Sequence, residues 1–98
     1  MYEFNFNRPE SIADALAAIT DADDGQFMAG GQTMIPVLKQ RLAMPSDVVE
    51  LAKIDDLRGI TVNGGWVTIG AMTPHALVHK SIDVAGAIPA LADLAGMI

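Results

Sequence analysis

Phe27-Met28-Ala29-Gly30-Gly31-Gln32-Thr33-Met34-Ile35-Pro36-Val37-Leu38 is the stretch from which the rest of this chain can be read. A short apolar run ends in two glycines, and a helical pattern begins directly after them. Met34, Val37, Leu38 and Leu42 share one stripe, which predicts a helix from about Thr33. Pro36 is tolerated only in the first turn of such a helix, where its missing N–H has no intrahelical acceptor. A strand over 26–30, a glycine turn and a helix start bring bare backbone N–H groups to one point, which suits phosphate oxygens. Glycine also removes the Cβ that would hold a pyrophosphate off the main chain. The turn lacks both the Gly-x-Gly-x-x-Gly spacing and a Gly-Lys-Ser/Thr ending. A plain strand-to-helix turn needing positive φ would use the same glycines, so this segment alone leaves both readings open.

On the N-terminal side, Phe4-Asn5-Phe6 reads as a short strand. Ser11 is the expected N-cap of a helix, with Asp14 as its weak capping-box partner. Ile12, Ala15, Leu16 and Ile19 form one apolar face, and Asp21-Ala22-Asp23-Asp24-Gly25 is a polar turn. On the C-terminal side, Pro45 closes the second helix and Val48-Val49-Glu50-Leu51 is a further strand. Residues 54–59 read as one helical turn capped by Asp55 or Asp56 and stopped by Gly59. Ile60-Thr61-Val62 and Trp66-Val67-Thr68-Ile69-Gly70 alternate on either side of Asn63-Gly64-Gly65, a hairpin signal. Pro74 to Lys80 and Ala87 to Ile98 are predicted helices, the second with Pro89 in its first turn. Together these give an α+β fold: a small, mainly parallel sheet with flanking helices plus a β-hairpin, the pairing order of the strands left open.

The last predicted helix carries Asp93 as its one charge and is apolar nearly all round, so it expects burial on more than one side. No Gly, Asn or basic C-cap is evident. The pattern suggests a truncated or dissected protein whose next element covers this helix. A homodimer through the same helix is the other reading.

Composition narrows the function. The chain has 98 residues and a net charge of −6, with six Lys and Arg. Nucleic-acid binding needs clustered cations, and only Lys39 and Arg41 lie close together. No segment reaches the roughly 18 apolar residues of a membrane span. Met1-Tyr2-Glu3-Phe4 lacks the pattern of a secretory leader, and the absence of cysteine is compatible with a cytoplasmic location. Without cysteine the chain has no thiolates with which to hold an iron–sulfur cluster. His75 and His79 stand at a spacing that can bind metal, but no third ligand accompanies them, and they read as exposed helix histidines. Asp21 to Gly25 falls one residue short of a calcium loop. No residue is expected to be catalytic, and no metal site is expected.

Three blocks, read in order, add a resemblance: residues 27–42, residues 49–60, and Val67-Thr68-Ile69-Gly70-Ala71-Met72-Thr73-Pro74-His75. Together with the strand–Arg-Pro–helix opening, they resemble the FAD-binding medium subunit of molybdenum hydroxylases, the carbon monoxide dehydrogenase and xanthine dehydrogenase family. The resemblance covers essentially all of residues 1–98. It implies the N-terminal α/β lobe of a two-lobed FAD-binding domain. Met28, Ala29, Gly30, Gly31, Gln32 and Thr33 would hold the pyrophosphate, and Ile69 and Gly70 would line the flavin cleft. Electrons would come from a molybdopterin large subunit through a [2Fe–2S] small subunit, and the flavin would pass them to an acceptor. The family's second phosphate loop, a Thr-Ile-Gly-Gly-Asn-like run, does not occur in these residues, nor does the second FAD lobe that carries it. Flavin binding by this chain alone is therefore expected to be weak or absent. Gly31→Val is expected to abolish what binding there is while leaving the fold mostly intact. A non-catalytic interaction module is the alternative. A third reading is another two-lobed FAD family, such as the cell-wall enolpyruvyl reductases, which the Ile69-to-Thr73 block disfavours.

Overall fold

The computed structural model describes residues 3–98; Met1 and Tyr2, the first two residues of the segment read above for a leader pattern, lie outside the described residues. The chain forms two compact units, Met1–Asp55 and Asp56–Ile98. Together they give a small α/β architecture with a short parallel sheet, helices and an antiparallel hairpin.

The first unit runs β1 (Asn5–Asn7), α1 (Ile12–Asp21), β2 (Gly25–Met28), α2 (Met34–Lys39) and β3 (Asp47–Glu50). All strands are parallel and ordered β1-β3-β2, so the last strand inserts between the first two. Val48 and Val49 are consecutive and both fully buried, as a central strand covered on both faces requires. Met28 and Leu38 pack on Val48, with Phe4 and Met34 alongside. Ser11 caps α1 as expected, its hydroxyl accepting from the Asp14 N–H at 3.1 Å. Of the expected apolar face, Ala15 is buried and Ile19 half-buried, whereas Ile12 and Leu16 stay exposed. Ser46 stitches the polar turn to the sheet: its N–H donates to the Asp24 carbonyl (2.8 Å), and its hydroxyl accepts from the Asp24 N–H (2.9 Å).

Two boundaries in this unit differ from expectation. The strand ends at Met28 instead of Gly30, because both glycines take φ +81°, outside the extended region. Helix α2 ends at Lys39, so Leu42 lies beyond it and is exposed instead of completing the stripe.

A 3₁₀ turn (Asp55–Leu57) spans the boundary, and the second unit then holds β4 (Ile60–Asn63), β5 (Trp66–Ile69), α3 (His75–Lys80), α4 (Ile82–Ala87) and α5 (Pro89–Ala95). The hairpin turns on Gly64 and Gly65, φ +58° and +85°, the left-handed pair of a type I′ turn, with Asn63 paired to Trp66. Val78, Val84, Ala92 and Ala95 form the core, packed by Ile60, Val67, Ile69 and Leu91. The expected helix over 87–98 is present as the shorter α5, with Pro89 in its first turn as expected, and a further helix, α4, precedes it. Ile88 (φ −140°, ψ 77°) separates them, because the residue before Pro89 is sterically barred from the helical region. Ser81 caps the unforeseen α4, accepting from the Val84 N–H at 3.2 Å. Gly96 does cap α5, in a right-handed conformation, contrary to the expectation of no cap. On α5, Ala92 and Ala95 face the core while Leu94 is exposed, as are Met97 and Ile98 beyond it.

Candidate functional site

Ligands of open parallel sheets gather outside the carboxyl ends of the strands. In the first unit that end of β2 leads straight into Ala29-Gly30-Gly31. Positive φ at both glycines turns the chain sharply, and α2 then starts from the turn itself: the Ile35 N–H donates to the Gly31 carbonyl (3.0 Å) and the Val37 N–H to that of Thr33 (3.1 Å). Among the described residues, the backbone N–H groups of Gly30, Gly31, Gln32 and Thr33 make no hydrogen bond to another backbone carbonyl. Thr33 occupies the N-cap position, yet its hydroxyl caps nothing. Pro36 sits in the first turn, where its lack of an N–H costs no bond.

A groove of about 340 Å³ opens beside this turn, lined by Met28, Ala29, Gly31, Gln32, Thr33 and Met34, among others. It is at the small end of ligand sites, with room for one portion of a dinucleotide. No carboxylate lines it, although the chain as a whole is acidic. A carboxylate there would repel a phosphate, so the local composition fits an anion held by backbone dipoles. Of the residues singled out from sequence, the groove collects Met28, Ala29, Gly31, Gln32 and Thr33; Gly30 belongs to the same turn but not to the lining.

The two glycines are not equivalent. Gly30 is exposed, and a Cβ there would meet only the Gln32 side-chain end. Gly31 is buried, and its Cβ would lie 2.7 Å from Ile35 Cδ1 and 3.5 Å from Met28 Sδ. Gly31 thus serves the packing of the turn as well as any ligand. Gly31→Val would disturb the fold, which removes the clean separation expected from sequence.

Ile69 and Gly70 belong to the second unit. Ile69 is half-buried, paired with Ile60 and packed on the core of that unit. Gly70 donates its N–H to the Gly59 carbonyl at 2.9 Å, and a Cβ there would collide with the Leu57 carbonyl group. The fold itself therefore requires glycine at position 70. Thr73 joins the same knot: its hydroxyl accepts from the Gly59 N–H (3.0 Å) and lies 3.2 Å from the Gly59 carbonyl. The Ile69-to-Thr73 block is thus explained locally as the clamp on the 57–59 turn, a role that spacing alone does not reveal.

His79 is exposed on α3, as expected. Its Nδ1 lies 2.9 Å from the Ala92 carbonyl, so it ties α3 to α5 by donating a hydrogen bond. Among the described residues, no group of three or more His, Asp or Glu is placed to hold a metal ion. No helix among them is long and apolar enough to cross a membrane.

A family model described as the FAD binding domain in molybdopterin dehydrogenase matches residues 2–98. The carbon monoxide dehydrogenase medium chain of Afipia carboxidovorans is 49% identical over 77 residues, covering 76% of this chain and 27% of that protein. The nicotine 6-hydroxylase medium subunit of Paenarthrobacter nicotinovorans is 37% identical over 84 residues, covering 86% of this chain and 30% of that protein. Among solved structures, carbon monoxide dehydrogenase from Hydrogenophaga pseudoflava superposes with a TM-score of 0.92 at 34% identity, covering 99% of this chain and 34% of that one. The chain spans about a third of the length of the relatives it matches. With the glycine turn, the groove and the sheet order all in place, the chain belongs to the family of FAD-binding domains of molybdopterin dehydrogenases.

Proposed function

We propose that this chain supplies the first lobe of an FAD site in the medium subunit of a molybdopterin dehydrogenase, and that the Gly30-Gly31 turn holds the cofactor's pyrophosphate. The observation that carries this reading is the run of unpaired N–H groups from Gly30 to Thr33 beside a groove without carboxylates. The N–H groups would donate to phosphate oxygens, the absent Cβ atoms would let those oxygens approach, and Gln32 and Thr33 would add side-chain donors. Ile69 and Gly70 would border the flavin, as the family resemblance implies. When bound, FAD supplies the two-electron relay between iron–sulfur clusters and an acceptor. This chain's residues contribute binding and orientation only. A molybdopterin large subunit, a [2Fe–2S] small subunit and a cytoplasmic setting complete the reading.

The test is a titration of the protein with FAD, followed by flavin fluorescence and by thermal shift. Weak but saturable binding that Gly30→Ala weakens further is the expected result. Binding that is indifferent to Gly30→Ala would remove the pyrophosphate assignment.

Exposed Leu94, Met97 and Ile98 favour a second reading, an interaction surface at α5 that pairs with another copy or chain. Light scattering decides it: a stable dimer supports homodimerisation through this surface, and a monomer excludes it.

A further inference from the structure

The tip of the β4–β5 hairpin, Asn63-Gly64-Gly65, carries chemistry that the flavin reading does not use. Asparagine is a thermally labile residue. The backbone nitrogen of the following residue can attack its side-chain carbonyl, and a side chain on that following residue obstructs the approach. Glycine there removes the obstacle. The chain has three asparagines, and their surroundings differ. Asn5 and Asn7 lie in β1, paired with Asp47 and Val49 of the central strand, and are followed by Phe6 and Arg8. Asn63 is followed by Gly64.

The fold leaves this dipeptide free to react. Asn63, Gly64 and Gly65 are all exposed. Among the described residues, neither the Asn63 side-chain amide nor the Gly64 N–H has a hydrogen-bond partner. A Cβ built on Gly64 would meet nothing within 4 Å, so the space round the attacking nitrogen is open. Asn63 and Trp66 are the last paired residues of the hairpin, and exposed loop tips are where a chain moves most readily. Asp24-Gly25 supplies the contrast, because a carboxyl side chain can close the same ring. There the Asp24 carbonyl accepts from the N–H groups of Ser46 (2.8 Å) and Asp47 (3.4 Å), and its own N–H donates to the Ser46 hydroxyl (2.9 Å). Gly25 begins β2, with Ile19 Cδ1 only 2.7 Å from where a Cβ would stand. That peptide group is pinned; the one after Asn63 is not.

We propose that Asn63 is a site of spontaneous intramolecular deamidation. The Gly64 nitrogen, having lost its proton to solvent, forms a bond to the Asn63 side-chain carbonyl carbon. The bond from that carbon to the side-chain nitrogen breaks, and ammonia leaves with a proton from water. Water then opens the five-membered imide at either carbonyl, giving aspartate or isoaspartate; nothing is oxidised or reduced. The isoaspartyl form routes the main chain through Cβ and adds one carbon between β4 and the turn. A two-residue turn then no longer sets residue 63 opposite Trp66, because hairpin register depends on loop length. Ile60, Val67 and Ile69 of the same hairpin pack on the core of this unit, so the change loosens that core. Each event also adds one negative charge to a chain of net charge −6.

The experiment incubates the purified protein at mildly alkaline pH and maps its peptides by mass, with enzymatic methylation of isoaspartyl carboxyls as the second readout. A synthetic peptide of residues 60–69 is the unfolded reference. Conversion occurs at Asn63 at a rate within about tenfold of the peptide, is slower in mild acid, and leaves Asn5, Asn7 and Asp24 intact. Gly64→Ala slows it on the order of tenfold, a barrier change of about 1.4 kcal/mol. Asn63→Gln, whose longer side chain closes a ring far more slowly, removes the product and keeps the parental thermal midpoint. The isoaspartyl form, separated by ion exchange, melts below the parent. An intact Asn63 in the folded protein when the peptide has converted overturns the proposal. Equal conversion at Asn5 or Asn7, or an unchanged rate in Gly64→Ala, does the same. A parental midpoint in the isoaspartyl form overturns the link to the core.

Discussion

Replacing Gly31 by alanine tests how the turn works, because its cost divides into two parts that can be separated. The first part is backbone. At φ +81° an L side chain is strained by roughly 1–2 kcal/mol. The second is overlap. The new Cβ would stand 2.7 Å from Ile35 Cδ1, and moving that side chain off its rotamer costs about 0.5–1.5 kcal/mol. Reduced freedom of the unfolded chain returns roughly 0.4–1 kcal/mol. The net loss is about 2 kcal/mol, or a fall in thermal midpoint of about 8–16 °C for a domain of this size. Ile35→Val removes the clashing Cδ1. Ile35 is already partly exposed, so this change alone costs under about 1 kcal/mol. In the double variant most of the overlap part should go, the Cγ1 contact at 3.1 Å remaining, returning up to about 1 kcal/mol as a coupling energy between the two positions. Thermal and urea denaturation of the parent, both single variants and the double variant measure the cycle. A Gly31→Ala midpoint within about 3 °C of the parent would refute the strain argument. Full strain with zero coupling to Ile35→Val would refute the packing argument and leave the backbone argument standing.

Two companions separate ligand from fold. Gly30→Ala meets only the mobile end of Gln32, so it should cost about 1 kcal/mol of stability while lowering FAD affinity on the order of tenfold; equal affinity would remove the pyrophosphate assignment. Gly70→Ala drives a Cβ into the Leu57 carbonyl, where backbone must yield, and should destabilise by about 3 kcal/mol in a denaturant titration. A near-neutral result there would mean that the 57–59 turn is looser than its hydrogen bonds to Gly70 and Thr73 indicate.

The glycine turn was legible because two signals coincide in sequence: an apolar run stopping at Gly30-Gly31, and a helical stripe resuming at Met34. Ser11 was legible for a similar reason, since a capping hydroxyl acts on an N–H three residues away. What escaped depends on contacts distant in sequence or on the absence of a usual marker. The end of α2 was missed because Arg41 occupies a position where glycine would have announced the stop. Helix α4 was missed because its cap, Ser81, precedes only a short segment interrupted by Gly86. Gly70 pointed to a cofactor by resemblance, whereas its local reason is the Leu57 carbonyl, 13 positions earlier in the chain. The insertion of β3 between β1 and β2 leaves no mark in any one strand.

The central claim is that main-chain N–H groups of the Gly30-Gly31 turn hold the pyrophosphate of FAD. The most direct measurement is the amide ¹H–¹⁵N spectrum of the protein during titration with FAD. The account predicts saturable shifts of the Gly30, Gly31, Gln32 and Thr33 amides, reproduced by ADP and absent with riboflavin, which has no phosphate. Saturable FAD binding that leaves these amides unmoved would contradict it.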